Sequence, residues 1–230
     1  QERGSTNMKY KIHILDYVNI IILLIFALIA LFPFYYVTIS SFATYAAKQA
    51  QSIYILPTSF DFTPYKTILS DHTFWDALKV SCFVSIVGTL WSLFICTMAA
   101  YVLSKKDLPG KKLIFAIVLI PMFYNGGLIP FYLQIQNLGL IDRLAVLIFP
   151  ASINTFYLIL IKNYFDDISP SLEESAKIDG ANDLVTFARI VLPISKPILA
   201  TVTLFFIVDK WNDYYNAMLF INSQKLKPLQ

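Results

Sequence analysis

The sequence predicts an all-α, polytopic membrane protein, and three observations carry that prediction. Hydrophobic residues make up 57% of the 230-residue chain and charged residues only 14%, where soluble domains carry about 25%. Uncharged apolar runs long enough to cross a bilayer recur along it. Lysine and arginine then concentrate in alternate loops between those runs. A surface this poor in charge suits lipid rather than water.

A spanning helix needs about 20 mostly apolar residues. The first predicted span covers Val18 to Phe42 and contains Pro33, a kink that packed neighbours tolerate in a membrane. The second covers Val80 to Ser104, the third Leu113 to about Ile129, and the fourth Leu144 to Ile161. The fifth begins at Pro197 and continues through ILATVTLFFIV to Asp209 and Lys210. Gly126, Gly127 and Pro130 end the third span, and the following stretch, with Phe131, Tyr132 and Gln134, reads as a short interfacial helix. The first span is too long, and lacks the small-residue site, for a cleaved signal peptide. Residues 1–7, QERGSTN, read as a tag or linker, leaving 8–230 as one transmembrane domain with a polar loop at 162–197. After Gln230 no returning span follows, which leaves two expectations: five spans, or six with the last one missing.

Orientation follows from Lys and Arg in the short loops. Lys9 and Lys11 precede the first span, and Lys105, Lys106, Lys111 and Lys112 lie between the second and third. Lys162, Lys177, Arg189 and Lys196 lie between the fourth and fifth, whereas Arg143 stands alone between the third and fourth. Between Lys48 and Lys79 three lysines are balanced by Asp61, Asp71 and Asp76. An N-terminus on the cytoplasmic side satisfies every loop.

Several chemistries are excluded. Cys82 and Cys96 sit fourteen residues apart in one apolar run. On a helix that is roughly 21 Å of rise, against a disulfide limit near ~7 Å. His13 and His72 have no ligand partners at useful spacing, so no metal site is expected. PGKK at Pro109 lacks the upstream glycine and the Ser/Thr of a phosphate-binding loop. No catalytic motif occurs and the first four spans carry no ionisable residue, which argues against an internal proton relay. No concentrated basic face suggests nucleic acid.

The polar insert EESAKIDGANDLVTFARIVLPISKP, from Glu173 to Pro197, is the exception to the apolar pattern. Ser169-Pro170 starts a helix, with Ser169 as N-cap and Pro170 at the first helical position; Ser171 and Glu174 also have capping-box spacing. This helix runs to about Ile178. Gly180 supplies the left-handed residue that closes it. Asn182 or Asp183 caps a second helix from Leu184 to about Val191, and Pro193 ends it. Two short helices meeting at a glycine corner make a projection that can pass force into the bilayer, although a solvated loop with incidental helices fits the same signals.

The insert resembles the cytoplasmic signature of permease subunits of binding-protein-dependent ABC importers: E-A-A-x-x-x-G, nine residues, then I-x-L-P. Here it reads Glu174-Ser175-Ala176, Gly180, then Ile190-Val191-Leu192-Pro193, and Asp179-Gly180-Ala181 extends the match. Ser175 stands where the family usually has alanine; a small residue is expected to fit a packed helix face. LFPFYYVTISSF, Pro57, AAYVLSKKDLPGKK and LIPFYLQIQNLGLIDRLAVLIFP are similar to the carbohydrate branch, and NGGLIPFYL resembles oligosaccharide permeases that work with lipoprotein-anchored sugar-binding proteins.

That resemblance implies the type I ABC importer permease fold, with six core spans. It implies a non-catalytic subunit paired with a second, related permease, two cytoplasmic ATPase subunits that hold ATP and Mg, and an extracytoplasmic sugar-binding protein, all at the bacterial inner membrane. The helix around Glu174 would be the coupling helix. Glu174 and Asp179 would make polar contacts with the ATPase, Ala176 and Ala181 would allow close packing, Gly180 would shape the corner, and Leu192-Pro193 would anchor the bracket. Trp211, Asn212, Asp213 and Tyr214, with Asn125 in the NGGLIPFY segment, are candidates for the substrate path or for binding-protein contact; an interfacial aromatic belt is the competing reading of WNDYY. An ATPase-independent channel or secondary transporter, and a polar cargo other than sugar, stay open as alternatives.

Overall fold

The computed structural model describes residues 14–44 and 60–230. Residues 1–7, Lys9, Lys11, His13, Lys48 and Pro57 lie outside the described residues. The chain divides into two compact units, residues 1–70 and 71–230.

In the first unit, α1 (Ile14–Ser41) contains Pro33, and its 18-residue apolar window is wholly unburied within the chain. Such a helix, apolar all round, suits a lipid surround or a partner helix. The chain after it pairs with the approach to α2 (Thr63–Ser70) through a single antiparallel bridge, Ala43 to Phe60. Phe42 stacks on Tyr65 at 5.2 Å, and the Tyr65 hydroxyl donates to Ser41 Oγ at 2.5 Å.

The second unit is organised around α3 (His72–Ser104), a 33-residue helix capped by Asp71, whose carboxylate accepts from the Thr73 amide. It starts before the predicted Val80, because Asp76 and Lys79 lie on its exposed first turns and pair with each other at 3.0 Å. Its length of roughly 50 Å exceeds the ~30 Å hydrocarbon core. Ser81, Ser85, Gly88, Thr89, Ser92, Cys96 and Ala100 form its buried stripe. These small side chains let α7 (Thr155–Asp166) and α11 (Lys196–Trp211) lie close against it. Leu158, Ile161, Val202 and Phe206 complete that contact.

The third predicted span breaks at the expected glycines but earlier than Ile129, which with Pro130 lies in the first turn of the next helix. α4 (Lys111–Phe123) is followed by α5 (Leu128–Asn137) at a 114° bend, with Gly127 at φ +90° and its amide donating to Asn125 Oδ1. The fourth needs correction, since it is not one helix. α6 (Ala145–Ile148) stops before Pro150, and α7 restarts at Asn154, which accepts from the Phe156 and Tyr157 amides. Proline supplies no amide to continue the ladder, and asparagine offers a new cap. Among the described residues, two helices are long and apolar enough to cross a membrane, or up to four if each bent pair is one span.

Candidate coupling elbow and polar cavity

The polar insert folds as an elbow. Its first arm, α8 (Pro170–Ile178), has Pro170 in the first turn, as expected. The predicted caps need correction: Ser169 makes no side-chain cap and instead shares a 2.8 Å hydrogen bond with Ser171, which is inside the helix. The arm closes as predicted. Gly180 sits at φ +81°, its amide donates to Lys177 O at 3.1 Å, and the Ala181 amide reaches Ala176 O at 2.9 Å. That pair of bonds is the Schellman closure, which requires a left-handed residue where glycine stands.

The second arm, α9 (Asp183–Thr186), is capped by Asn182 Oδ1 accepting from the Val185 amide at 2.9 Å. The predicted end at Pro193 is wrong. A π-helical turn at Phe187–Val191 passes into α10 (Leu192–Ile194), with Pro193 in its first turn, and the 82° bend into α11 comes at Ser195. Pro193 needs no amide donor at the start of a helical turn, so it does not stop the chain.

Two attachments hold the elbow to the end of α3. Lys105 Nζ pairs with Glu173 Oε2 of α8 and lies 4.0 Å from the Tyr101 ring centroid. The Tyr101 ring packs on Phe187 at 4.8 Å, and its hydroxyl donates to Asp183 O at 3.3 Å. Lys111 Nζ donates to Ser104 O and Lys105 O, closing the end of α3. Partial burial opposes the Lys105 charge, but Glu173 and Tyr101 outweigh it and raise its pKa above the ordinary lysine value. Beside these attachments lies a cleft of about 370 Å³ bordered by Lys106, Asp107, Glu174 and Lys177. The outer side of the elbow is apolar at its tip: Ile178 is 86% and Leu184 67% exposed.

A second constellation forms where α11 meets the break between α6 and α7. Asn154, Asp209, Lys210, Asn212 and Asp213 border a cavity of about 450 Å³, together with Ile153 and Phe206. Lys210 is only 4% exposed, and its Nζ donates to Leu147 O at 2.8 Å and Ile148 O at 3.4 Å, carbonyls at the end of α6. Its stem runs over Gly88 of α3, where an added Cβ would lie 3.2 Å from Lys210 Cδ. Asp209 accepts from the Tyr157 hydroxyl at 2.8 Å.

No family model matches the chain. Among curated relatives it is 44% identical over 208 residues to the polygalacturonan/rhamnogalacturonan transport system permease protein YtcP of Bacillus subtilis, covering 90% of this chain and 73% of that one. It is 30% identical over 210 residues to the trehalose/maltose transport system permease protein MalG of Thermococcus litoralis, covering 89% and 75%. Among solved structures it matches a bacterial ABC transporter involved in import of the acidic polysaccharide alginate, with TM-score 0.91 and 36% identity over 100% of this chain and 81% of that one. The chain belongs to the sugar ABC importer permeases.

Within this permease the predicted coupling residues come together at the elbow with different exposures. Ala176 is buried, Ala181 half-buried, and Glu174, Asp179 and Gly180 are exposed. Within the chain Ser175 is exposed, and its hydroxyl donates to Ser171 O at 2.8 Å, so the departure from alanine leaves no polar group unpaired. Ile190 and Leu192 are half-buried around Val191, which is 1% exposed.

The permease's other candidates do not form one group. Asn212 and Asp213 border the cavity, with Asp213 also binding the Asn216 amide and side chain at the start of α12 (Tyr214–Phe220). Trp211 and Tyr214 are exposed, and Asn125 shapes the Gly127 corner instead. Sequence reasoning missed Lys105, Tyr101, Glu173, Asp209 and Lys210. The last two carried a usable signal, being ionisable residues at the end of an apolar run.

Proposed function

We propose that this permease carries an oligosaccharide across the bacterial inner membrane and receives its driving force at the elbow. An extracytoplasmic binding protein delivers the sugar, a second related permease completes the path, and two cytoplasmic ATPase subunits bind ATP and Mg and hydrolyse the nucleotide. The elbow lies on the cytoplasmic side, since Lys105, Lys106, Lys111 and Lys177 converge on one cleft and basic residues stay inside; by the same rule Lys9 and Lys11, ahead of the first apolar run, put the N-terminus there. The observation that carries the reading is the elbow tip, where Ile178 and Leu184 are exposed on either side of the Gly180 corner. Apolar side chains held out on a rigid corner suit a protein partner's groove. Glu174 and Asp179 then make the polar rim of that contact, and Leu192-Pro193 returns its motion to α11.

The cargo is read as a sugar from the relatives and from the cavity, whose Asn154, Asp209, Asn212 and Asp213 can serve hydroxyls while Phe206 supplies an apolar wall. Affinity purification of the permease should bring down an ATPase subunit and a second permease. Gly180→Val should abolish transport-coupled ATP hydrolysis while leaving sugar capture by the binding protein intact; normal uptake by that variant would defeat the assignment. Thermal-shift screening of the binding protein against neutral and uronic oligosaccharides should return a sugar, and stabilisation by peptides alone would overturn the cargo reading.

A further inference from the structure

The elbow is covalently continuous with α7 on one side and α11 on the other. Force delivered to it therefore reaches those two helices through the backbone. α3, the helix against which both pack, is remote in sequence: Lys105 and Glu173 are 68 residues apart. Yet the last turn of α3 touches both arms. Lys105 takes the first arm through Glu173, and Tyr101 takes the second through Asp183 O and the Phe187 ring. The two holders are themselves joined, the ammonium lying 4.0 Å from the phenol ring centroid. Tyr101 stands in the last turn of α3 and Lys105 is its C-cap, one position beyond Ser104. The arrangement is partly shielded, with the Lys105 and Glu173 side chains 24% and 25% exposed, so it is less screened than a surface ion pair. Lys111 pins the same end of α3 by its two carbonyl contacts, which keeps the holder from fraying.

We propose that Lys105 and Tyr101 are positioning residues of the transport cycle, a strap by which the elbow drags α3 together with α7 and α11 as one body. Without it, elbow movement is absorbed at the π-helical turn and the Ser195 bend, and α3 lags. The small-residue face of α3 packs on both partners, and the strap adds a tie between its end and the moving element. This rests on the coupling assignment of the elbow. It adds to it an intramolecular link made by Glu173, the residue before the signature glutamate.

The test uses the whole complex in liposomes, with Cys82 and Cys96 replaced by alanine and a reporter cysteine at Ile153, which borders the cavity. The rate at which a membrane-impermeant maleimide labels position 153 is measured with and without ATP plus vanadate. In the parent the rate should change on trapping. Lys105→Glu and Glu173→Lys should each retain ATPase subunits and hydrolyse ATP yet lose about tenfold of that change, a coupling typical of contacting pairs. The double swap should restore it to within about twofold. Lys105→Met and Tyr101→Leu provide the same readout if a reversed charge prevents assembly. An undiminished change in the single variants, or a double swap as poor as either, overturns the strap alone. A parent that shows no change on trapping overturns the coupling assignment beneath it.

Discussion

The elbow and the polar cavity of the permease are built by opposite means. The elbow is local: its corner closes through bonds from Gly180 and Ala181 to residues three and five positions back. The cavity is assembled from distant pieces, with Lys210 bonding carbonyls 62 and 63 residues away and Asp209 bonding Tyr157 52 residues away. A locally closed device can be altered without loosening the rest of the protein. A long-range knot cannot, because its buried polar members lie between packed helices, where a lost partner leaves a desolvated group unpaired.

The sharpest way to break this contrast is Gly180→Val. No heavy atom lies within 4 Å of the position a Cβ would take, so the whole penalty comes from φ +81°, about 1–2 kcal/mol for a left-handed residue with a side chain and more for a branched one. That strain can be relieved by local opening of the corner, so transport should be lost while the thermal midpoint of the detergent-purified complex barely moves. Gly180→Asn, which tolerates that backbone, should keep substantial uptake. A large fall in melting temperature for Gly180→Val would show that the elbow is not an independent local unit.

Lys210→Met should do the reverse. Ile148 O keeps the Ser152 hydroxyl at 3.1 Å, but Leu147 O loses its Lys210 donor, a cost of about 1–3 kcal/mol for a buried unpaired carbonyl. The melting temperature should fall by several degrees, read by intrinsic fluorescence, while the ATPase subunit still co-purifies. Gly88→Ala should act in the same direction and no more strongly, by about 1 kcal/mol, at the low end of overpacking, since its new methyl would lie 3.2 Å from the buried Lys210 stem. An unchanged midpoint in both variants would remove the long-range knot from the comparison.

A smaller effect is expected from acid. Asp142, at φ +58°, accepts from Ser223 Oγ and from the Ser223 and Asn222 amides, and these bonds, Ser223 first, hold its carboxyl below the ordinary value. A depressed folded-state pKa stabilises above the unfolded value near ~3.9 and loses that contribution as pH falls through the folded value. Hydrogen exchange of the Ser223 amide should thus be unaffected from neutrality down to about pH 5 and quicken, relative to its intrinsic rate, only in stronger acid. Asp142→Asn should remove that dependence. Smallest of all, Ser175→Ala should change uptake and stability by less than about 0.5 kcal/mol equivalent, because the exposed hydroxyl bonds only Ser171 O.

The amino-acid sequence by itself determined the membrane class, the corner and the family, each for a local reason. Apolar runs record their own solvent. Gly180 records a left-handed backbone, and the intervals between Glu174, Gly180 and Leu192-Pro193 record a shared device. The same locality explains the misplaced elements. Pro193 reads as a stop, yet tertiary packing around buried Val191 carries the helix past it to Ser195. Leu144 to Ile161 reads as one span, yet it is split, and Lys210, nearly 50 residues beyond, binds the carbonyls that the break exposes. The strap from Lys105 to Glu173 and the cavity around Asp209 belong to the tertiary structure alone. Hydropathy and helix signals are sums over neighbours in the chain, whereas a buried charge is positioned by carbonyls and carboxylates that only folding brings within 3 Å or so of it.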